Sequence, residues 1–296
     1  RYSHPQPLVE LLRESVGDAL LEPLLKSDNE ITPTILHANP LRAGAEAVYD
    51  ELTEQGVRLT AHPWLPGCWL AAGTGNLEQL EAFRAGRVYV QDPAAHLAAL
   101  ASGVQPGMQV LDMCAAPGGK SFAAAIAMQN EGSVTSCDIH AHKVSLIEKG
   151  AERLGISIVH ARQADASQFE PDFEAGFDVV IADVPCSGLG VIRKKPDIRY
   201  KDLAPTERLP QVQAAILENV SRYVKSGGVL VYSTCTVLRR ENEDVANAFL
   251  ARHPEFCPEA FALPAELNAQ TDGMLTLYPH LHEADGFFIC KLRKNV

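Results

Sequence analysis

The sequence has no apolar run long enough to span a bilayer, and it opens on no signal-peptide pattern. None of its seven cysteines form a Cys-x-x-Cys pair, which removes the common zinc frameworks. Its ten histidines show no metal spacing either. His140 and His142 are two apart, so a helix turns them to different faces, and no metal is expected. An excess of positive charge is also missing. The net charge of −11 excludes a broadly basic nucleic-acid binder. It leaves RNA open as a substrate, because binding depends on a local patch rather than on the total. An odd number of scattered cysteines suits a reducing cytoplasm. No internal repeat or low-complexity tract occurs. What remains is a soluble, globular composition of 46% apolar and 21% charged residues in 296 residues, enough for about two domains. The chain begins with Arg rather than Met, the expectation for a fragment or trimmed chain without an upstream domain.

The chain is organised around Val110 to Ser121, Val-Leu-Asp-Met-Cys-Ala-Ala-Pro-Gly-Gly-Lys-Ser. A short apolar run passes through Pro117, Gly118 and Gly119 into the Ala-rich run Ser121 to Met128, which reads as strand, tight turn and helix. Glycines let the backbone turn sharply and approach a ligand, and the helix start offers free N–H groups. A dinucleotide fingerprint fails for want of Gly-x-Gly-x-x-Gly. A P-loop fails because its first glycine position is Cys114. An S-adenosyl-L-methionine site needs such a turn after the first strand and acidic residues after the next strands, and it stays open.

Before this turn, residues 1–90 read as a small α/β domain. Helical runs at Leu8 to Val16 and Leu20 to Leu25 are separated by Gly17. Strands follow at Pro33–Asn39, Val57–Ala61, Cys68–Ala71 and Arg87–Val90, with helices at Arg42–Gln55 and Leu77–Phe83. Asp92 is the N-cap of a helix with Pro93 at its first position. Residues 91–296 then alternate strand and helix, the pattern of an α/β domain with a mostly parallel sheet. Seven strands are expected: Gln109–Met113, Ser133–Cys137, Ser157–His160, Asp178–Ala182, Val229–Ser233, Met274–Tyr278 and Phe287–Leu292. They suit a Rossmann-like methyltransferase sheet that binds ligands at the carboxyl ends of its strands.

Asp138, Asp165 and Asp183 each stand just past a strand. Asp138 suits ribose hydroxyls, Asp165 an adenine amino group, and Asp183 a place between cofactor and substrate base. Cys186, in Asp183-Val-Pro-Cys-Ser-Gly, follows the fourth strand, and Cys235, in Thr-Cys-Thr, the fifth. In a parallel sheet both thiols reach the same carboxyl edge. A thiolate beside a methyl donor suggests attack on carbon 6 of cytosine, which makes carbon 5 nucleophilic. Cys68, Cys137, Cys257 and Cys290 are expected to be small buried apolar residues.

Asp112 to Lys120, together with Asp-x-Pro-Cys-Ser-Gly and Thr-Cys-Thr, resembles the motifs of the RNA cytosine-5 methyltransferases. Val191 to Tyr200, Tyr2-Ser-His-Pro5 and Gly286-Phe-Phe288 narrow the resemblance to the Sun/Fmu type, which acts on bacterial 16S ribosomal RNA. That type carries a NusB-like N-terminal domain, and nothing here matches it. Val184 departs from the family's usual Ala. The resemblance implies that Cys235 is the nucleophile, with Cys186 assisting breakdown of the adduct. DNA enzymes use the Pro-Cys cysteine instead, so Cys186 is the alternative nucleophile. Asp183 and Lys120 are implied at the reacting groups. Cys114, Ala115, Ala116, Pro117, Gly118, Gly119, Lys120, Asp138, Asp165 and Asp183 are implied at the cofactor, S-adenosyl-L-methionine. The expected partner is RNA, with no DNA and no membrane, for a monomer in the cytoplasm.

Arg193, Lys194, Lys195, Arg199 and Lys201 place five cations in nine residues just after Cys186, and Arg239 and Arg240 follow Cys235. Flanking both thiols, they are expected to hold RNA phosphates. Tyr200 fits either base stacking or the core. Transfer RNA is the alternative substrate, and a catalytically silent RNA-binding assembly factor is the alternative class. The intact cysteines speak against the latter.

Overall fold

The computed structural model describes residues 2–267 and 269–296. The chain divides into two compact units, one of Arg1–Thr32, Ala166–Ala262 and Gln270–Val296, the other of Pro33–Asp165 and Leu263–Ala269. It is an α/β protein with a four-stranded sheet and an eight-stranded, mostly parallel sheet.

Helix α1 (Gln6–Ser27) opens the first unit. Gly17 interrupts it at φ 75° and ψ 167°, so it is two helical pieces, as the broken apolar pattern implies. Its buried leucines Leu8, Leu12, Leu21, Leu24 and Leu25 share one core with Leu189, Ile192, Ile198, Val237 and Leu238.

The second unit begins with β1 (Thr34–Ala38), α2 (Ala45–Glu54), β2 (Arg58–Ala61), β3 (Cys68–Ala72), α3 (Glu81–Arg84) and β4 (Val88–Val90). The strands form an antiparallel sheet in the order β2-β3-β1-β4. Leu36, Val48, Leu52, Val57, Trp69 and Val88 fill its core. Helix α4 (Pro93–Ala101) starts where Asp92 accepts the N–H of Ala94 at 2.9 Å. Then β5 (Gln109–Asp112), α5 (Gly119–Ala127), β6 (Ser133–Asp138), α6 (Ala141–Leu154) and β7 (Val159–Gln163) alternate. The β5–β6 and β6–β7 pairs are parallel.

The first unit resumes with β8 (Phe177–Asp183), α7 (Leu209–Ser221), β9 (Val224–Thr234), α8 (Glu243–Leu250), β10 (Phe256–Pro258), β11 (Met274–Leu277) and β12 (Phe287–Lys294). Strands β8 and β9 are parallel, while β12 runs antiparallel to β9 and carries β10 and β11 antiparallel. Val179 to Ala182 are all buried, so β8 is covered on both faces, as a continuous apolar run dictates.

Strand β10 was not expected. It is three residues long, ends in Pro258, and exists through its pairing with β12. Strand β9 starts five residues before the expected Val229, because Val224 pairs with Phe177 and the ladder resumes at Val229 after an irregularity. Cys68, Cys137 and Cys290 are buried as expected, but Cys257 is exposed, since it lies on β10 at a position with no cover.

Candidate active site

In the second unit, β5 delivers Asp112 to the base of the turn. Ser136 Oγ donates to Ser121 Oγ at 2.7 Å, and Ser121 Oγ donates to the Asp112 carboxylate at 2.8 Å. This fully buried chain fastens β6, α5 and β5 beneath the loop of Cys114, Ala115, Ala116 and Pro117. Ala115 N–H is held by Cys137 O at 2.8 Å, and Gly118 N–H by Ala115 O at 2.7 Å. Gly118 sits at φ 111°, and a Cβ there would lie 2.4 Å from the Phe122 ring. Only glycine fits. Helix α5 begins at Gly119 with no side-chain cap. Lys120 in that turn is largely buried.

Strand β6 ends at Asp138, whose carboxylate accepts the N–H of His140 at 2.9 Å. Its neighbour β7 ends at Gln163, opposite Asp138, and Ala164 N–H bonds Asp138 O at 3.2 Å. Asp165 follows directly and is half-buried. The turn, Asp138 and Asp165 therefore gather at the carboxyl ends of β5, β6 and β7. A glycine turn at a helix start and two carboxylates suit a nucleoside ligand with hydroxyl and amino donors.

In the first unit, β8 and β9 pair Asp183 with Ser233, and Ser233 Oγ donates to Asp183 Oδ1 at 2.8 Å. The loops that follow bring Cys186 Sγ to 3.0 Å from Cys235 Sγ. Cys235 N–H points at Cys186 Sγ from 3.3 Å. The hydrogen bond to Cys235 and the loss of solvent raise the Cys186 pKa well above the ordinary thiol value, and the charges of Glu241 and Asp183 add to this.

A cluster of polar side chains holds the two loops together. Ser187 Oγ donates to Thr236 Oγ1 at 2.8 Å. Glu241, 0% exposed, accepts the Ser187 N–H and Gln213 Nε2, both at 2.9 Å. Gln213 Nε2 also donates to Pro185 O at 3.0 Å, so both peptide groups flanking Cys186 are clamped. Asn242 binds Thr234 Oγ1 at 2.5 Å and Thr236 O at 3.0 Å, on either side of Cys235. Past Cys186, Gly190 packs on Gly286 so closely that a Cβ would stand 1.8 Å from its carbonyl oxygen. The sequence reading missed Glu241, Asn242 and Gln213. Glu241 and Asn242 lie in the charged run Arg239 to Asp244, which reads as a solvated segment, and only Gln213, among the apolar residues of α7, leaves a trace.

The expected RNA-contact cations separate into two groups. Arg199 is 7% exposed, and its guanidinium donates to Asn29 Oδ1 and Asp28 O, both at 2.9 Å. Its charge is spent inside the fold, so it is not a surface phosphate contact. Arg193 is also mostly covered and, with Lys194, contacts the buried Asp285 at 3.5 and 2.8 Å. Lys195 and Lys201 are exposed and make no ion pair among the described residues. Arg239 is exposed beside Asp244, and Arg240 donates to Thr206 Oγ1 at 2.8 Å. Tyr200 lies outside the core, 64% exposed. Among the described residues no helix is long and apolar enough to cross a membrane, and no cluster of side chains could hold a metal ion.

A family model described as 16S rRNA methyltransferase RsmB/F matches residues 99–293. The probable ribosomal RNA small subunit methyltransferase B of Bacillus subtilis (strain 168) is 39% identical over 99% of this chain and 67% of its own length. The ribosomal RNA small subunit methyltransferase F of Erwinia tasmaniensis is 30% identical over 99% of this chain and 64% of its own. The chain thus spans about two-thirds of these relatives. A crystal structure of PH0851 superposes with a TM-score of 0.92 at 32% identity, covering 99% of this chain and 66% of that one. NSun6 from Pyrococcus horikoshii, solved with SFG, superposes at 0.85 over 98% of both chains with 22% identity, a likeness of fold.

Proposed function

The chain belongs to the 16S rRNA methyltransferase RsmB/F family, and on that premise we propose that it methylates carbon 5 of a cytosine in small-subunit ribosomal RNA through a covalent cysteine adduct. The observation that carries this reading is the pair of thiols at 3.0 Å, beside Asp183 at the ends of two parallel strands. The cofactor is S-adenosyl-L-methionine, and it supplies a methyl group on a sulfonium. Cys114 to Lys120, Asp138 and Asp165 are assigned to hold it. The positive-φ turn at Gly118, the uncapped α5 start and the carboxylates at strand ends fit its amino-acid and nucleoside parts.

Cys235 is the attacking thiol. The hydrogen bond to Cys235 and burial raise the Cys186 pKa, which favours its thiol form and suits the assisting role. The Cys235 thiolate adds to carbon 6 of the cytosine, and carbon 5 gains the electron density needed to take the methyl. Asp183, which accepts a hydrogen bond from Ser233, is assigned to the polar edge of the base. Lys120 is assigned to the reacting groups by the resemblance. A base then removes the carbon-5 proton, the carbon–sulfur bond breaks and the thiolate leaves. Cys186 assists that last step. Lys195, Lys201, Arg239 and Arg240 are assigned to RNA phosphates, and residues 1–90 to orienting the RNA ahead of the catalytic residues 91–296.

The test is incubation with radiolabelled cofactor and either unmodified 16S ribosomal RNA or transfer RNA, followed by nucleoside analysis. Label in 5-methylcytosine of ribosomal RNA supports the reading. Label in transfer RNA alone moves the substrate, and label in another nucleoside overturns the chemistry.

A further inference from the structure

Away from the thiols, the first unit holds a cavity of about 320 Å³. One wall is Pro5, Pro7 and Leu8 at the start of α1, and the other is Arg199 to Leu203. We propose that this cavity binds one unpaired ribonucleotide of the RNA substrate, with its base on the Tyr200 ring and its phosphate at Lys201. The proposal rests on the RNA reading above and names a second RNA subsite on the same unit.

Tyr200 is a fixed platform rather than a loose surface side chain. Its ring is 64% exposed, yet its hydroxyl donates to Ser3 O at 3.2 Å. An exposed aromatic face held at its far end is ready to stack without losing much rotamer freedom on binding. The prolines opposite make that wall stiff. Lys201, next in sequence, is exposed and has no ion pair among the described residues. Asp202 also lines the cavity, but its carboxylate accepts the N–H of Ala204 at 3.0 Å. The first turn of α1 has neither an acidic residue nor a side-chain cap, so its positive end is uncompensated.

Arg199 also belongs to the cavity wall, and its guanidinium is engaged inside the fold by Asn29 Oδ1 and Asp28 O, which fixes the segment that carries Tyr200 and Lys201. The volume lies at the small end of ligand sites, about 300–1,000 Å³, and excludes a duplex. The cavity also rides on the same core as the thiol loops. Leu8 and Ile198 pack in one cluster with Leu189, three residues after Cys186, and Val237, two after Cys235.

The test is equilibrium binding of a fluorescein-labelled, cytosine-containing hexaribonucleotide to the full chain. Tyr200→Ala is expected to bind roughly tenfold more weakly, the size of one lost base–aromatic stack. Tyr200→Phe keeps the ring and is expected to bind close to wild type. Lys201→Glu is expected to bind more weakly, with a shallower salt dependence. An abasic hexamer is expected to bind wild type and Tyr200→Ala alike. Unchanged affinity of S-adenosylhomocysteine shows that each variant is folded. Wild-type affinity in Tyr200→Ala, or an equal loss on the abasic hexamer, overturns the subsite while leaving the methyltransferase reading intact. If wild type neither binds nor methylates any RNA, that reading falls and takes the subsite with it.

Discussion

Cys186 Sγ and Cys235 Sγ stand 3.0 Å apart, at the ends of two strands paired in register at Asp183 and Ser233. Parallel pairing sends both following loops out from the same end of the strands. The polar clamp of Ser187, Thr236, Gln213, Glu241 and Asn242 then sets their separation. Two thiols so close cannot ionise independently, and the one that loses its proton first raises the pKa of the other. Only one of the pair carries a thiolate at a time, and the proposed roles give that charge to Cys235.

Glu241→Ala removes the acceptor for Ser187 N–H beside Cys186. An unsatisfied buried N–H costs about 1–3 kcal/mol. The variant is expected to melt at lower temperature and to release methylated RNA slowly, so that a covalent protein–RNA species builds up. Glu241→Gln, which keeps an acceptor oxygen, is expected to restore release. Release at the wild-type rate in Glu241→Ala would show that the clamp does not act on Cys186.

Gly118→Ala forces a Cβ to within 2.4 Å of the Phe122 ring at φ 111°. The turn must deform, with backbone strain of about 1–2 kcal/mol from the left-handed conformation alone. Calorimetry with S-adenosylhomocysteine is expected to show affinity reduced roughly tenfold or more. An unchanged dissociation constant would remove the turn from the cofactor site.

Arg199 and Lys195 are expected to behave oppositely. Arg199→Met breaks buried bonds to Asp28 and Asn29 and lowers stability in a urea titration. Lys195→Ala leaves stability unchanged and lowers RNA affinity, reducing the slope of log K against log salt by about 0.7–0.9 for a lost phosphate contact. A wild-type slope in Lys195→Ala would place that lysine outside the interface.

Burial lowers the pKa of His37 to about 4 and that of His96 to about 3, with backbone acceptance by Gln91 opposing the shift at His37. The folded state therefore refuses protons that the unfolded chain takes up below about pH 6.5. Their contribution to stability is full above that value and declines as pH falls toward 4 and then 3. NMR titration is expected to find the His37 ring neutral at pH 5. A midpoint near 6.5 would contradict its burial.

Apart from β10, the strands of the large sheet and the Gly118 turn were legible because local pattern determines them: apolar runs of fixed length, then residues that only a turn accepts. The break at Gly17 was legible for the same reason. Arg199 was not, because its partners Asp28 and Asn29 lie some 170 residues earlier. Charge density in sequence could not tell a buried guanidinium from a solvated one. Glu241 and Gln213 escaped notice for a similar reason, since a clamp on Cys186 is assembled from α7 and the loop after β9. Strand β10 depends on β12, which its own three residues do not announce.

The most direct test of the account uses wild type, Cys235→Ala and Cys186→Ala with radiolabelled S-adenosyl-L-methionine and unmodified 16S ribosomal RNA, resolved on a denaturing gel. Labelled free RNA is expected from wild type, no label from Cys235→Ala, and a labelled covalent protein–RNA band from Cys186→Ala. A covalent band from Cys235→Ala, with none from Cys186→Ala, would reverse the roles of the two thiols and contradict the account.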